Sequence, residues 1–145
     1  MLKARYRVLV PVDGTSVTRD VLDRAADVAL AERGEVTLLH VRGRPAVRIV
    51  ASTTPMGVEL PKQTDGECDT ILMQAASYMR NRGVPARTER RDGRVRRGIV
   101  QAAGDSDIDI IVMGCHGHAG LGKLLHGCIS EYVRHHVSCP VTTVP

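Results

Sequence analysis

The sequence predicts an α/β fold in which a parallel sheet is covered by helices on both faces, and three observations carry that prediction. Short β-branched runs alternate with segments whose apolar residues recur at helical spacing. The run Ile108-Asp109-Ile110-Ile111-Val112-Met113 is almost continuously apolar, as expected of a strand buried on both faces. Glycines then crowd its exit, in Gly114-Cys115-His116-Gly117-His118-Ala119-Gly120 and again at Gly127-Cys128, where such a fold turns from strand to helix.

Taken in order, Arg5 to Asp13 reads as a first strand that ends in a turn at Gly14. Thr15 or Ser16 can cap the following helix, whose face is Val17, Val21, Leu22, Ala25, Val28 and Ala29, with Gly34 as its stop. Glu35 to Val41 is the second strand, centred on Leu38 and Leu39. The spacing of Leu72, Ala75, Ala76 and Met79 predicts a helix over Cys68 to Arg82, stopped by Gly83. Val84 to Arg90 is a third, weaker strand, and Val95 to Ala103 a short helix bearing Ile99, Ala102 and Ala103. The strand Ile108 to Met113, a last helix and the strand Val141 to Val144 complete five strands and about four helices. Ligands of such sheets bind beyond the carboxyl ends of the strands, where strand order reverses. Asp13 and the glycine loop both fall at strand ends, so one cleft can hold both.

Residues 1–145 suffice for a single domain with a sizeable core. Gly43 to Glu67 fits no element and contains Pro45, Pro55 and Pro61; it is expected to be a long flexible loop, either a plain surface connection or a flap over a ligand or partner. Hydrophobic residues make up 43% of the chain, with no Phe or Trp and only Tyr6, Tyr78 and Tyr132, so aliphatic side chains must fill the core. That scarcity leaves few platforms for stacking single-stranded nucleic acid. Cys68, Cys115, Cys128 and Cys139 form no C-x-x-C pair, and the amino-terminal residues lack a long apolar stretch, so reduced thiols in the cytoplasm are the expectation. No apolar run is long enough to span a bilayer, so no membrane partner is expected. The net charge is +4, much of it in Arg87, Arg90, Arg91, Arg94, Arg96 and Arg97; this run is either a solvated face or an attractor of anions. An arginine-patch nucleic-acid binder, the least favoured reading, predicts steep salt dependence.

Glycines after a buried strand let the backbone approach a ligand and aim several N–H groups at it, and a helix starting beyond them adds its positive dipole end. This suits phosphate. The spacing Gly114-x2-Gly117-x9-Gly127 matches neither the P-loop nor the G-x-G-x-x-G dinucleotide fingerprint.

That spacing, followed by a small residue, resembles the nucleotide-binding signature of the universal stress protein family, of the ATP-binding type. The resemblance covers nearly the whole chain. Val8-Leu9-Val10-Pro11-Val12-Asp13-Gly14-Thr15 is similar to the family's first strand and turn, and Leu39-His40-Val41 to its second strand. Ile110-Ile111-Val112-Met113-Gly114 and Ser138-Cys139-Pro140-Val141 are similar to its fourth and fifth. The resemblance implies a five-stranded, Rossmann-like sandwich of the adenine nucleotide alpha hydrolase-like kind that forms homodimers and binds ATP, or AMP or ADP, with Mg²⁺. It implies that Asp13 lies by ribose and adenine and that the main chain at Pro11 and Val41 lines the adenine slot, with Val12 and Met113 as flanking site residues. Gly114, Cys115, His116, Gly117, His118, Ala119 and Gly120, with Gly127, Cys128 and Ile129, would hold ribose and phosphates. The strand Val141 to Val144 would pair or pack across a two-fold dimer interface.

From residue chemistry alone, Asp13 can accept a ribose hydroxyl or simply favour a helix dipole. The family signature has Ser or Thr where this chain has Cys128. A thiol hydrogen-bonds weakly, so one neutral hydrogen bond worth roughly 0.5–1.5 kcal/mol is lost, about tenfold in affinity at most. Leu121, Leu124, Leu125, Cys128, Ile129, Tyr132 and Val133 can also form one uninterrupted helical stripe, with Cys128 a small core residue; the family pattern instead breaks the helix near Gly127. Cys115, His116, His118, His126 and Cys128 match no structural zinc spacing, and no metal ligand is assigned. A Cys115–Cys128 redox pair is a further alternative.

No catalytic residue declares itself: there is a cradle for phosphate but no evident base to orient a nucleophile. The leading expectation is a cytoplasmic ATP-binding stress-response and signalling module with at most weak hydrolysis. The alternative is a dimeric interaction protein of the same fold that binds no ATP.

Overall fold

The computed structural model describes residues 5–14, 18–43, 63–115 and 129–145. Along these, β1 (Arg7–Pro11), α1 (Thr18–Glu32), β2 (Glu35–Gly43), α2 (Asp65–Asn81), β3 (Ala86–Gly93), α3 (Val95–Asp105), β4 (Ile110–Gly114), α4 (Ile129–His136) and β5 (Val141–Val144) alternate. Every strand pairing is parallel, in the order β3-β2-β1-β4-β5. The α/β class read from the sequence is therefore the observed one, and the order of strands reverses between β1 and β4.

Alternate residues of β1, β2 and β4 feed two separate cores, as a period of two requires. Val8, Val10, Val12, Val36 and Leu38 pack with the α1 residues Val21, Leu22, Ala25, Ala26 and Ala29 and the α2 residues Leu72, Ala75, Ala76 and Met79. Leu9, Leu39, Val41, Ile111 and Met113 pack on the other face with Ile99, Ala102 and Ala103 of α3 and Val133 of α4. Alanines on the buried helix faces let the backbones come close to the sheet.

Most boundaries shift by a residue or more from the sequence expectation: β1 narrows to Arg7–Pro11, β2 extends to Gly43, α3 extends to Asp105 and β4 runs from Ile110 to Gly114. β3 starts at Ala86 rather than Val84 and runs on to Gly93. Val84 is buried, but its N–H closes α2 by donating to Met79 O at 3.0 Å. β3 is an edge strand in register with β2 from Val36↔Ala86 to Gly43↔Gly93. Its charges suit an edge that must not pair with another chain, which also explains its weak hydrophobic signal. α2 opens earlier than Cys68 because Thr64 builds a capping box: Thr64 Oγ1 accepts from Glu67 N (3.2 Å) and Glu67 Oε2 from Thr64 N (2.8 Å). Gly43 and Asp65 to Glu67 thus belong to elements, while 44–62, the rest of the expected loop, lies outside the described residues. Finally, Ile129 is 37% exposed, so the apolar stripe of α4 narrows to Val133 and half-buried Tyr132. The proposed caps Thr15 and Ser16 are not among the described residues.

Removing the capping hydroxyl should be felt in stability alone. Thr64→Ala is expected to cost about 1 kcal/mol, a fall of about 3 °C in thermal midpoint for a chain of this size. Circular dichroism melts read this directly.

The arginine run is largely absorbed by the fold. Arg87 donates to Thr37 Oγ1, Arg90 pairs with Asp69, Arg91 pairs with Glu89 and Asp105, and Arg96 lies over the Tyr132 ring, 4.9 Å from its centroid. These contacts support the solvated-face reading over an open nucleic-acid patch.

Candidate functional site

The carboxyl ends of β1, β2 and β4 lie side by side, and backbone direction decides what they offer. Even-numbered residues of β1 turn their polar groups to β2: Tyr6 O accepts from Glu35 N, and Val12 N donates to Leu39 O, each at 2.8 Å. Odd-numbered residues face β4, as Arg7 O shows by accepting from Asp109 N at 2.9 Å. Pro11 is odd-numbered and has no N–H to give β4. The β1–β4 ladder accordingly has its rungs at Val8↔Ile110 and Leu9↔Ile111, whereas β1–β2 pairing continues to Pro11↔Leu39. Among the described residues β1 and β4 form no bridge beyond Leu9↔Ile111; Pro11, Val12 and Asp13 follow on the β1 side and Met113, Gly114 and Cys115 on the β4 side.

On the β4 side, Cys115 N donates to Val144 O (2.9 Å), which ties the start of the glycine loop to β5. Cys115 is half-buried. Asp13 is half-buried and accepts from Thr18 Oγ1 at 3.4 Å, so α1 helps to place its carboxylate. Gly14 follows with φ +81°, and Ile71 of α2 packs under it: a Cβ there would lie 3.1 Å from Ile71 Cδ1. Only a glycine relieves both the left-handed conformation and that contact.

Val41 belongs to β2, one register step past the last β1–β2 rung plus one residue. Odd-numbered residues of β2 face β1, as Leu39 O does, so the Val41 N–H and C=O point into the space beyond the end of β1. Its side chain points the other way, into the α3 core. Gly98 of α3 meets it there: a Cβ at Gly98 would lie 2.9 and 3.0 Å from the two Val41 methyls.

The structure thus brings together Pro11, Val12, Asp13, Val41, Met113, Gly114 and Cys115, and puts Ile129 in the first turn of α4. His116, Gly117, His118, Ala119, Gly120, Gly127 and Cys128 lie outside the described residues. Two neighbours escaped the sequence reading. Arg42 is clamped by Asp92 (2.7 and 2.9 Å) and Asp65 (2.7 Å), and these carboxylates hold its guanidinium well above its usual range. His40 is a buried polar residue bonded to Val12. The T-x-x-E box at Thr64 was legible in principle; the Arg42 clamp was not, since its partners are far apart in sequence.

Two cavities of about 310 and 380 Å³ open at the opposite end of the strands, one lined by Arg5, Arg33, Gly34 and Pro85, the other by Asp109, His136, Cys139 and Pro140. Burial pushes the Cys139 thiol up, away from a reactive thiolate. Among the described residues no cluster of three His, Cys, Asp or Glu side chains is placed to hold a metal, and no helix is long and apolar enough to cross a membrane.

The model of the universal stress protein family matches residues 5–145. The chain belongs to the universal stress protein family. Universal stress protein YxiE of Bacillus subtilis is 30% identical over 145 residues, covering 95% of this chain and 97% of that protein. Among solved structures, a universal stress protein in complex with cAMP superposes with a TM-score of 0.73 at 19% identity, covering 98% of both chains. The universal stress protein of Archaeoglobus fulgidus in complex with dAMP gives 0.67 at 20% identity, covering 97% of this chain and 98% of that one. At such identities the two structures establish the shared fold.

Proposed function

We propose that this universal stress protein binds an adenine nucleotide across the ends of β1, β2 and β4 and acts as a nucleotide-responsive signalling module, without a catalytic residue of its own. The observation that supports the reading is the end of the β1–β4 pairing at the switch point, where a carboxylate follows one strand and a glycine ends the other. Relatives of the same fold hold cAMP and dAMP, so a nucleoside monophosphate is accommodated within the family.

In this reading the base edge meets the Val41 N–H and C=O, and Asp13 accepts from a ribose hydroxyl. The glycine loop from Gly114 to Gly120, with Gly127, Cys128 and Ile129, cradles phosphate. ATP is the full ligand. Mg²⁺ enters on its phosphates, as this ion keeps several waters and seldom uses an all-protein cage. Cys128 weakens the phosphate grip without abolishing it, because its backbone N–H remains a donor. The open edge of β5 pairs in a homodimer, and the cytoplasm is the compartment.

Calorimetry on nucleotide-free protein with ATP and Mg²⁺, and separately with AMP, tests this. Heat of binding and a raised thermal midpoint are expected. Asp13→Ala should weaken both ligands about tenfold, since a hydrogen bond to a charged acceptor is lost. The absence of heat and of any thermal shift up to millimolar nucleotide would leave the second reading, a dimeric interaction protein of the same fold.

A further inference from the structure

His40 is 3% exposed, and both of its ring nitrogens are engaged. Nδ1 lies 2.8 Å from the Val12 carbonyl oxygen, and Nε2 lies 2.9 Å from the atom placed as Gln63 Oε1, which the Cys68 thiol also approaches at 3.8 Å. A carbonyl oxygen only accepts, so Nδ1 carries a proton and donates it. In the neutral ring Nε2 then accepts, and the Gln63 carboxamide meets it with its NH₂ side; amide orientation follows from the network rather than from the positions of O and N. The Gln63 main chain is itself held, since Arg42 Nη1 donates to its backbone carbonyl oxygen at 3.1 Å from within the Asp92 and Asp65 clamp.

The bond to Val12 falls at a decisive place. Val12 N donates to Leu39 O, and a regular parallel ladder would next give the Val12 carbonyl to the Val41 N–H. The donor found there is the imidazole. The peptide that follows is planar and trans, so its N–H, that of Asp13, points opposite to the Val12 carbonyl, toward the β4 side.

We propose that His40 is a positioning residue for the nucleotide cleft: by occupying the Val12 carbonyl it ends the β1–β2 ladder, keeps the Val41 main chain available to a base edge and fixes the peptide that carries Asp13. This rests on the nucleotide reading above. His40 touches no ligand and acts only through Val12, Asp13 and Val41.

Three substitutions separate positioning from mere core filling. His40→Asn places a carboxamide nitrogen near the position of Nδ1 and keeps a donor for Val12. His40→Gln reaches the position of Nε2, keeps the Gln63 contact and gives up Val12. His40→Leu gives up both. AMP affinity is measured by calorimetry and thermal midpoint by circular dichroism. Wild type and His40→Asn should agree within about threefold, while His40→Gln and His40→Leu lose about tenfold or more. The order of affinities should not follow the order of thermal midpoints. Long-range ¹H–¹⁵N spectra of the wild type should show the Nδ1–H tautomer, and the Nε2–H tautomer would overturn the proposal. Binding by the wild type with equal affinities in His40→Asn and His40→Gln overturns the role of His40 and leaves the nucleotide reading standing. A wild type that binds no AMP overturns both.

Discussion

Gly34→Ala is expected to destabilise the fold by about 3 kcal/mol, the upper part of the range for overpacking a well-filled interior. Gly34 is buried between the end of α1 and the start of β2, where Arg33 has a left-handed φ of 51° and Gly34 N donates to Ala29 O at 2.8 Å. A Cβ there would lie 2.3 Å from the Tyr6 carbonyl oxygen and 3.0 Å from Tyr6 Cβ. No rotamer relieves a contact with backbone. That carbonyl also accepts from Glu35 N at 2.8 Å, the bond that opens the β1–β2 pairing. Either the bond breaks or the entry of β1 shifts. The thermal midpoint should fall by about 10 °C. Because Gly34 sits at the amino ends of the strands, the folded fraction should bind nucleotide as the wild type does. A midpoint within a degree or two of the wild type would mean that β1 yields cheaply at Tyr6.

Gly34 was visible in the sequence only as a helix stop. Its second role, as the point where α1 and β1 touch, joins residues distant in the chain, and no local pattern reports that. The same division holds across the fold. Leu72, Ala75, Ala76 and Met79 announce their helix face because helical spacing is local, and all four are buried. β3 was misplaced by two residues at its start because an edge strand carries charges, Arg87 to Asp92, in place of an apolar alternation. The apolar Val84 drew the boundary toward itself, yet its N–H serves α2.

The site divides in the same way. Asp13 and Gly114 are legible as residues that follow apolar β-branched runs, and strand order β3-β2-β1-β4-β5 makes them neighbours. Pro11 was read as lining the slot from the family resemblance; what the structure shows is that a proline there lacks the N–H that would continue the β1–β4 ladder. His40 left no distinct signal. Inside an apolar strand a histidine reads as one more core residue, and only the 2.8 Å contact with the Val12 carbonyl ties it to the cleft.

Gly98→Val should take nucleotide binding below detection while leaving a protein that still folds at low temperature. In a helix interior glycine costs about 1 kcal/mol relative to alanine, so its presence in α3 calls for a packing reason. That reason is Val41, whose methyls would lie 2.9 and 3.0 Å from a Cβ at Gly98. Alanine regains the helical propensity and loses about as much by pressing on Val41, so Gly98→Ala should shift stability by no more than about 1 kcal/mol. The pressure is on one residue, however, and its N–H and C=O face the cleft. AMP affinity should therefore fall several-fold in Gly98→Ala although the thermal midpoint barely moves. Valine adds two carbons to the same space, so α3 must lift from β2 at a cost of about 3 kcal/mol, and the Val41 main chain is displaced with it. Calorimetry beside thermal melts separates the two effects. If Gly98→Val binds AMP as the wild type does, the Val41 main chain takes no part in recognition, and the base must be read from the β4 side of the cleft instead.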